Sequence, residues 1–244
     1  MKRLLDIFTS LLFLILFFIP LFIICIIVFL QDRHSPFYVP ERVGKDNVSF
    51  KMIKIRSMSI DADKSKVDST SANDPRITKV GIFIRRYKID EISQLFNVLI
   101  GNMSLVGPRP NIKRETDLYS EEERKILSVK PGITDLSSIV FSDEGDILAD
   151  KEDPDIAYNQ LIRPWKSRLA LVYVSKRNMI LDIQILFLTL LNMIDRTKTL
   201  RIIFKIVSKI NDNERLLSVI NRDERLIPYP PPGFDHIVES RDII

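Results

Sequence analysis

The stretch that decides the fold runs from Ile7 to Leu30, IFTSLLFLILFFIPLFIICIIVFL, and holds 24 residues without a charged side chain. About 20 apolar residues are enough to cross a bilayer as one helix, so this run is long enough to enter a membrane. A secretory signal peptide fits less well, because its apolar part is about 7–15 residues long and no small-residue cleavage site follows Leu30. The run therefore predicts a membrane-inserted N-terminal segment.

Basic residues flank this apolar run on both sides, with Lys2 and Arg3 before it. The cations that follow it are Arg33, Arg42, Lys45, Lys51, Lys54 and Arg56. By the positive-inside rule, both ends favour the cytoplasm. Pro20 removes a backbone donor and kinks a helix, so we expect a re-entrant helix-break-helix hairpin over residues 1–31 in preference to a spanning anchor. Asp6 is then expected at the interface, paired with Arg3 or a lipid-facing donor.

Composition narrows the function classes of this 244-residue chain. Its single cysteine, Cys25, excludes a disulfide framework or a cysteine zinc site within the chain. Two distant histidines, His34 and His236, do not suggest a metal cluster. The net charge of +4 suits nucleic acid, anionic lipid or phosphorylated partners. We expect no nucleic acid partner, because aromatic and basic residues are not interleaved, and the apolar run favours membrane lipid.

Beyond the apolar run, the sequence predicts an α+β protein with a small, helix-rich domain over residues 32–196 and an extension over 197–244. The expected elements are a β-hairpin over 37–56, a polar mobile loop and candidate lid over 61–74, helices over 80–100, 115–129, 159–174 and 179–194, and an acidic loop over 143–155. The extension combines a basic amphipathic part with a Pro-rich tail. This pattern is typical of one domain with appendages.

Two candidate interfacial helices lie near the end of the domain. The run Met179–Ile194 is too short and too polar to span a bilayer, which favours a core or interfacial helix. After it, five cations alternate with apolar residues: Arg196, Lys198, Arg201, Lys205 and Lys209. This pattern is typical of a helix on anionic lipid and equally of a solvated helix face.

The residues with the strongest chemical signal are Asp90 and Glu91, in the run KIDEISQLFNVL that begins at Lys88. A carboxylate can attack phosphorus as a covalent nucleophile, and a neighbouring carboxylate can hold an oxygen-preferring ion such as Mg²⁺. About twenty residues later, Arg109 lies between two prolines in VGPRP. A guanidinium on such a stiff backbone suits bidentate phosphate binding. Together these residues predict phosphate chemistry at a membrane.

The chain resembles the bacterial sugar transferase family, the small monotopic phosphoglycosyl transferases, from about Met1 to Arg196. The resemblance rests on blocks in a fixed order: KRLLD from Lys2, ERVGK from Glu41, KIRSM from Lys54, DPRIT from Asp74, IDE from Ile89, GNMSLVGPRP from Gly101 and KPGIT from Lys130. Several blocks in the right order are far more specific than any one of them.

The resemblance implies that a sugar 1-phosphate moves from a UDP-sugar to a polyprenyl phosphate, in particular undecaprenyl phosphate, with release of UMP. By position, Asp90 would be the nucleophile, and Glu91 would join it in Mg²⁺ and phosphate handling. Arg109 and Arg85, with Arg56 and Lys54, would bind substrate phosphate. The implied location is the cytoplasmic face of a bacterial inner membrane, with downstream glycosyltransferases as candidate partners.

Two departures of this chain from the family pattern concern the membrane break and the choice of sugar. The membrane break is usually Ser-Pro in the family, but here it is Ile19-Pro20. After the KPGIT block, the family's usual GWAQVNGR is replaced by DLSSIVFS from Asp135, followed by acidic residues. The second departure leaves the choice of sugar open. A non-catalytic membrane-surface scaffold for glycan-assembly enzymes is the alternative function, although a scaffold would not need the acidic pair or Arg109.

Overall fold

The computed structural model describes residues 1–62, 70 and 74–239. The expected loop and candidate lid over 61–74 lies mostly outside these residues. The helices are α1 Lys2–Leu16, α2 Phe18–Asp32, α3 Lys79–Arg86, α4 Ile89–Ile92, α5 Leu95–Ile100, α6 Lys113–Asp117, α7 Glu121–Arg124, α8 Leu136–Val140, α9 Glu144–Leu148, α10 Pro154–Leu161, α11 Arg163–Lys176, α12 Met179–Asn192, α13 Arg196–Val207 and α14 Glu214–Asn221. The strands are β1 Phe37–Tyr38, β2 Glu41–Val43, β3 Ser49–Lys51, β4 Lys54–Ile55, β5 Ser104–Val106 and β6 Gly132–Thr134. The α+β class predicted from the sequence is confirmed.

The apolar run forms two helices, α1 and α2, that meet at a bend of 63°. The break lies at Phe17, three residues before Pro20. A proline ring clashes with the carbonyl four residues earlier, here that of Leu16, so the break falls before the proline itself. Pro20 occupies the first turn of α2, where its missing N–H costs no helical hydrogen bond.

Within the described residues, no single helix is long and apolar enough to cross a membrane. The bent pair α1–α2 meets the length and hydropathy criteria only when both halves are counted together. Most large apolar side chains of the pair are exposed on the protein surface, among them Phe8, Ile15, Phe18 and Ile19 at 67–70%. Such a surface needs an apolar environment around it.

The beginning of α1 is fastened to the folded domain by charged side chains. Lys2 Nζ lies 2.6 Å from Asp182 Oδ2 on α12, and Arg3 donates to the Leu99 carbonyl at 2.7 Å. The bonding partner expected for Asp6, either Arg3 or a lipid-facing donor, is wrong. Asp6 is 4% exposed and accepts hydrogen bonds from Ser104 Oγ at 2.9 Å and from the Leu105 backbone N–H. The hydrogen-bond partners of Asp6 are therefore residues of β5.

The end of α2 is fastened to the same domain at a different place. Asp32 accepts two hydrogen bonds from Arg56, which follows β4, one of them from Nη2 at 2.7 Å. One turn earlier, Val28 is fully buried against Ile55 and Ile84. Both outer ends of the helix pair therefore contact one and the same domain.

The strands form small sheets that hold neighbouring loops together. The hairpin expected over 37–56 is confirmed, with β2 paired to β3 and β1 paired to β4, both antiparallel. The parallel pair of β5 and β6 brings together two segments that are distant in the sequence. This second pair positions the loop that carries Arg109.

The helix expected over 80–100 is divided into α3, α4 and α5. The chain turns at Lys88, whose φ of 53° is left-handed and therefore outside a helix. The apolar periodicity across these residues is real, because Ile84, Leu95 and Val98 are buried, but it belongs to three short helices. The acidic pair therefore begins a separate four-residue helix, α4, and does not lie within a long one.

Other expected helices differ in their boundaries. The helix expected over 159–174 is split between α10 and α11, because Pro164 lies in the first turn of α11, where proline begins helices. The helix expected over 115–129 is likewise divided, into α6, α7 and a 3-10 turn over Lys125–Ser128. The expected acidic loop over 143–155 contains the short helix α9.

One hydrophobic core joins the catalytic region to the C-terminal segment. Trp165, Leu169 and Ile185 are members of the same cluster as Ile203 and Ile220, so α13 and α14 pack against α11 and α12. On its other side, α12 exposes a row of apolar side chains. The members of this row are Ile180, Ile183, Phe187 and Leu190, with exposed fractions of 54–71%.

Candidate active site

Four predicted site residues from three segments meet in one cluster. Lys54 comes from β4, Asp90 and Glu91 from α4, and Arg109 from the loop after β5. Lys54 Nζ lies 3.4 Å from Asp90 Oδ2, and Arg109 Nη1 lies 2.9 Å from Glu91 Oε1. Two cations thus face two adjacent carboxylates. The Arg109 side chain is 37% exposed, so the cluster is open to an incoming ligand.

The loop that carries Arg109 is fixed by a close approach of two backbone segments. The Gly107 N–H donates to the Thr134 carbonyl at 3.1 Å, and the Gly132 N–H donates to the Pro108 carbonyl at 3.0 Å. A Cβ on Gly132 would lie 2.1 Å from the Gly107 nitrogen, so only glycine permits this contact. The guanidinium of Arg109 therefore projects from a rigid base, as the flanking prolines predict.

The charge of Glu91 is secured by its neighbours. Burial acts to raise the pKa of this carboxyl, but the positive charges of Arg109, Lys88 and Lys54 outweigh burial and lower the pKa to about 2. The same pairing raises the pKa of Arg109, mainly through the charge of Glu91. Both groups are therefore ionised at neutral pH.

Lys54 and Arg85 supply further positive charge around Asp90. Burial lowers the pKa of Lys54, and the negative charge of Asp90 acts in the opposite direction. Burial also lowers the pKa of Arg85, again opposed by Asp90. Arg85 Nε donates to Ser57 Oγ at 3.0 Å, which directs the guanidinium of Arg85 toward the same region. Asp90 itself is only 8% exposed.

Arg56, which the resemblance also assigns to phosphate binding, lies outside this cluster. Its guanidinium donates to Asp32 and its Nε donates to the Ser35 carbonyl at 2.9 Å. With only 8% of the residue exposed, these contacts occupy the donors of Arg56. The structure thus places Arg56 at the end of α2 as an anchor, and the sequence offered no signal for its partner Asp32.

Two polar residues that support the site were not singled out from the sequence. Ser93 Oγ donates to the Ile53 carbonyl at 3.1 Å. Asn97 donates to the Lys51 carbonyl at 2.7 Å and accepts from the Ile53 N–H at 2.8 Å. These bonds fasten α4 and α5 to the segment that carries Lys54. Ser93 and Asn97 are spaced one turn apart on the buried side, a polar periodicity that could have identified them.

The donor set limits what metal the site can hold. Within the described residues, no group of three or more His, Cys, Asp or Glu side chains could hold a metal ion. Mg²⁺ is commonly bound by one or two carboxylates together with substrate phosphates and water. Asp90 and Glu91 fit that mode, in which the ion arrives with a phosphate substrate.

The cluster lies near the C-terminal end of α2. Ile55 directly follows Lys54 in the sequence, and Ile89 directly precedes Asp90. Both pack in the small hydrophobic cluster that includes Val28 of α2. The acidic pair is therefore connected to α2 through a layer of apolar side chains.

Comparison with known proteins places this chain in a family. The family model described as Bacterial sugar transferase matches residues 1–196. A Bacillus subtilis protein provisionally named an undecaprenyl-phosphate N-acetylgalactosaminyl 1-phosphate transferase is 43% identical over 121 residues, covering 50% of this chain and 68% of the relative. The exopolysaccharide production protein PSS of Rhizobium leguminosarum bv. phaseoli is 34% identical over 209 residues, covering 81% of this chain and 97% of the relative.

Other relatives are longer than this chain. The UDP-glucose:undecaprenyl-phosphate glucose-1-phosphate transferase of Klebsiella pneumoniae is 36% identical over 192 residues, which cover 77% of this chain and 39% of that protein. This chain thus spans well under half of the Klebsiella relative. Since the family model covers more than half of the chain, the protein belongs to the bacterial sugar transferase family.

Proposed function

We propose that the protein transfers a sugar 1-phosphate from a UDP-sugar to a polyprenyl phosphate such as undecaprenyl phosphate, releases UMP, and thereby begins the assembly of a lipid-linked glycan. The names of the Klebsiella and Bacillus relatives, which include undecaprenyl phosphate and a sugar phosphate transfer, support this reaction. The cluster of paired carboxylates and cations supplies the groups that such a transfer needs. Together they make this chain a phosphoglycosyl transferase.

The observation that carries the proposal is the position of Asp90 near the C-terminal end of α2. A polyprenyl phosphate keeps its chain in the bilayer and its phosphate at the headgroup level. Because Ile55 and Ile89 connect the cluster to α2, a phosphate at that level meets Asp90 directly. Holding both reactants near one carboxylate gives the proximity advantage of an intramolecular reaction.

In the first step, a carboxylate oxygen of Asp90 attacks the sugar-bearing β-phosphorus of the donor. The bond from that phosphorus to the bridging oxygen breaks, and UMP leaves with the bonding electron pair. Lys54, 3.4 Å from Asp90 Oδ2, directs the nucleophile, while Arg109 binds donor phosphate oxygens through its guanidinium fork. The product of this step is a phosphosugar joined to Asp90.

In the second step, a phosphate oxygen of the polyprenyl acceptor attacks the same phosphorus, and the bond to Asp90 breaks. The carboxylate is regenerated and the sugar leaves on a polyprenyl diphosphate. Asp90 and Glu91 would hold Mg²⁺, which would supply positive charge to neutralise substrate phosphate. Arg85 adds positive charge beside Asp90 in both steps.

We further propose that α1 and α2 form a re-entrant hairpin in the inner membrane, with the catalytic domain on the cytoplasmic face. Lys2 at one end and Asp32 at the other both bind this single domain, and a spanning helix would place its ends on opposite sides. The exposed apolar row on α12 is expected to lie in the same interface. Lys2 binds Asp182 in the first turn of α12, so that row begins beside the base of α1.

The test is UMP release by the detergent-purified full chain with undecaprenyl phosphate, Mg²⁺ and a panel of UDP-sugars. We expect release from one sugar and a loss of at least about 10³-fold in Asp90→Asn, because the amide cannot attack phosphorus. Asp117→Asn, an exposed carboxylate on α6, is the matched control and should keep full activity.

Two results would contradict the proposal. Release that survives in Asp90→Asn would remove Asp90 from the nucleophile role. A folded wild-type chain that releases no UMP from any donor would favour the scaffold alternative. Trapping a phosphosugar on the intact wild-type chain, seen as a mass increase absent from Asp90→Asn, tests the covalent intermediate directly.

A further inference from the structure

The first turns of α1 hold one segment of the folded domain at both of its ends. This segment, residues 95–106, consists of α5, a short turn and β5. In the sequence it lies between the acidic pair, Asp90 and Glu91, and Arg109. The position of the segment therefore determines how the two halves of the candidate site face each other.

Arg3 holds the α5 end of the segment. Its guanidinium donates to the Val98 carbonyl and, at 2.7 Å, to the Leu99 carbonyl. Both carbonyls belong to the last turn of α5, where a cation complements the negative end of the helix dipole. The Val98 N–H donates to the Gln94 carbonyl, and the Gln94 N–H donates to the Glu91 carbonyl, both at 3.0 Å. Arg3 is thus joined to Glu91 by a continuous series of hydrogen bonds.

Lys2 holds the β5 end of the segment. Its Nζ donates to the Val106 carbonyl at 3.0 Å. It also donates to Asp182 Oδ2 at 2.6 Å and to Tyr173 OH at 3.3 Å, so all three protons of the ammonium group have acceptors. Asp182 and Tyr173 are 3% and 1% exposed. A displaced Lys2 would leave the buried Asp182 without its cation, which fixes where Lys2 lies.

The contact passes from β5 to Arg109 through a stiff loop. Asp6 adds a second bond to β5 by accepting from the Leu105 N–H at 3.0 Å. Gly107, the first residue after β5, donates to the last carbonyl of β6 at 3.1 Å, which restrains the start of the loop. Arg109 Nη1 then lies 2.9 Å from Glu91 Oε1. This bond closes a ring of contacts that begins and ends in the first turns of α1.

We propose that Lys2, Arg3 and Asp6, which we call the α1 bracket, set the distance between Arg109 and the acidic pair and so align the donor diphosphate with Asp90. The inference rests on the proposed function, since that function assigns Arg109 to donor phosphate. The described contacts of the bracket are to α5, β5, α11 and α12, so its members are positioning residues. The helix pair α1–α2 is then a working part of the donor site and not only an anchor.

The test is a double-mutant cycle between Arg3 and Arg109 in the full chain. Arg3→Met keeps an unbranched side chain and removes both donors. We expect kcat/KM for the UDP-sugar to fall about 10-fold, because the two halves of the site lose their fixed spacing. In the Arg109→Lys background the same change should cost less than about 2-fold, since the arginine that depends on this spacing is already gone.

Two further variants complete the cycle. Arg3→Lys, which keeps the charge but not the paired donors, should recover part of the rate, and the same cycle can be measured with it if Arg3→Met folds poorly. Arg201→Met, at an exposed arginine on α13, is the matched control and should leave kcat/KM unchanged.

Three results would overturn the bracket. An Arg3→Met enzyme that keeps its kcat/KM shows that the site does not depend on Arg3. Equal losses in both backgrounds show that Arg3 stabilises the fold without acting on Arg109. Hydrogen exchange tests the contact without turnover: residues 95–107 should exchange faster in Arg3→Met than in the wild type, and unchanged exchange contradicts the bracket. If the wild type releases no UMP from any donor while exchange rises as expected, the proposed function fails and the bracket on this segment stands.

Discussion

Two ion pairs in this molecule, Glu123–Arg163 and Glu91–Arg109, consist of the same residue types but differ in their surroundings. Glu123 on α7 is fully buried and accepts four hydrogen bonds: from Arg163 Nη2 and Nε, from Ser167 Oγ at 2.7 Å, and from the Ser120 N–H. Arg163 also donates to the Asn159 side chain at 3.1 Å. By contrast, Glu91 accepts one described bond, from Arg109 at 2.9 Å.

The difference teaches how a charge pair becomes available for chemistry. The Arg163 side chain is 6% exposed and its hydrogen-bonding capacity is largely used within the protein, whereas the Arg109 side chain is 37% exposed. A buried, saturated pair holds elements together, and breaking it leaves an unpaired charge in the interior. An open pair keeps donors free for a phosphate. The environment of a pair, and not its residue types, therefore separates structure from function here.

The largest expected effect concerns the buried pair. Glu123→Ala should lower the free energy of unfolding by about 3–5 kcal/mol, because Arg163 is then left as an uncompensated buried charge. Thermal unfolding in detergent measures this. Glu121→Ala, an exposed residue of the same helix, should cost less than about 1 kcal/mol. Similar melting temperatures for the two variants would break the comparison.

A substitution in the exposed Glu91–Arg109 pair should reduce activity and hardly change stability. Arg109→Lys is expected to reduce kcat/KM about 100-fold, because an ammonium cannot reproduce bidentate phosphate binding. The melting temperature should stay within about 2 °C of the wild type, since Arg109 is exposed to water. Arg124→Lys, on the surface of α7, is the control for the same exchange and should retain full activity. A stability loss as large as that of Glu123→Ala would show that Arg109 is structural.

The sequence predicted the residues of the site better than the residues that hold the site in place. Lys54, Asp90, Glu91 and Arg109 stand in short blocks whose residue types already indicate phosphate chemistry, and the structure brings them together. Arg56 shows the limit, because its partner Asp32 lies at the end of α2 and nothing in the local pattern links the two. Contacts between distant segments depend on how helices pack, which residue periodicity does not encode.

Helix boundaries failed for a related reason. The apolar spacing across residues 80–100 is that of one long helix, yet the chain turns at Lys88 to bring the acidic pair toward Lys54. Tertiary contacts such as the bond from Asn97 to the Lys51 carbonyl outweighed local periodicity. The break between α1 and α2 was predictable from Pro20, but its position at Phe17 follows from the clash of the proline ring with the preceding turn.

A smaller effect is expected from the cation beside the proposed nucleophile. Lys54→Met should reduce kcat about 10-fold, since Asp90 then loses the ammonium group that lies 3.4 Å away and directs it. Lys54→Arg should restore part of the rate, because the charge returns with a different shape. Lys51→Met, an exposed lysine on the neighbouring strand β3, should behave as the wild type. An unchanged kcat in Lys54→Met would remove Lys54 from the mechanism.

The smallest expected effect is a pH dependence that belongs to the open pair alone. The pKa of Glu91 is lowered from 4.5 to about 2 in the folded protein, so its ionised form stabilises the fold above about pH 4.5, and this contribution is lost as the pH falls toward 2. Glu91→Gln should thus be less stable than the wild type at pH 7, by about 1 kcal/mol because water screens the Arg109 side. The gap should close between pH 4.5 and 2, and added salt should narrow it at pH 7. Glu41→Gln, an exposed residue of β2, should show no such gap. A gap that persists unchanged at pH 3 would mean that hydrogen-bond geometry, and not the charge of Glu91, stabilises this pair, and the contrast with Glu123 would then be one of burial alone.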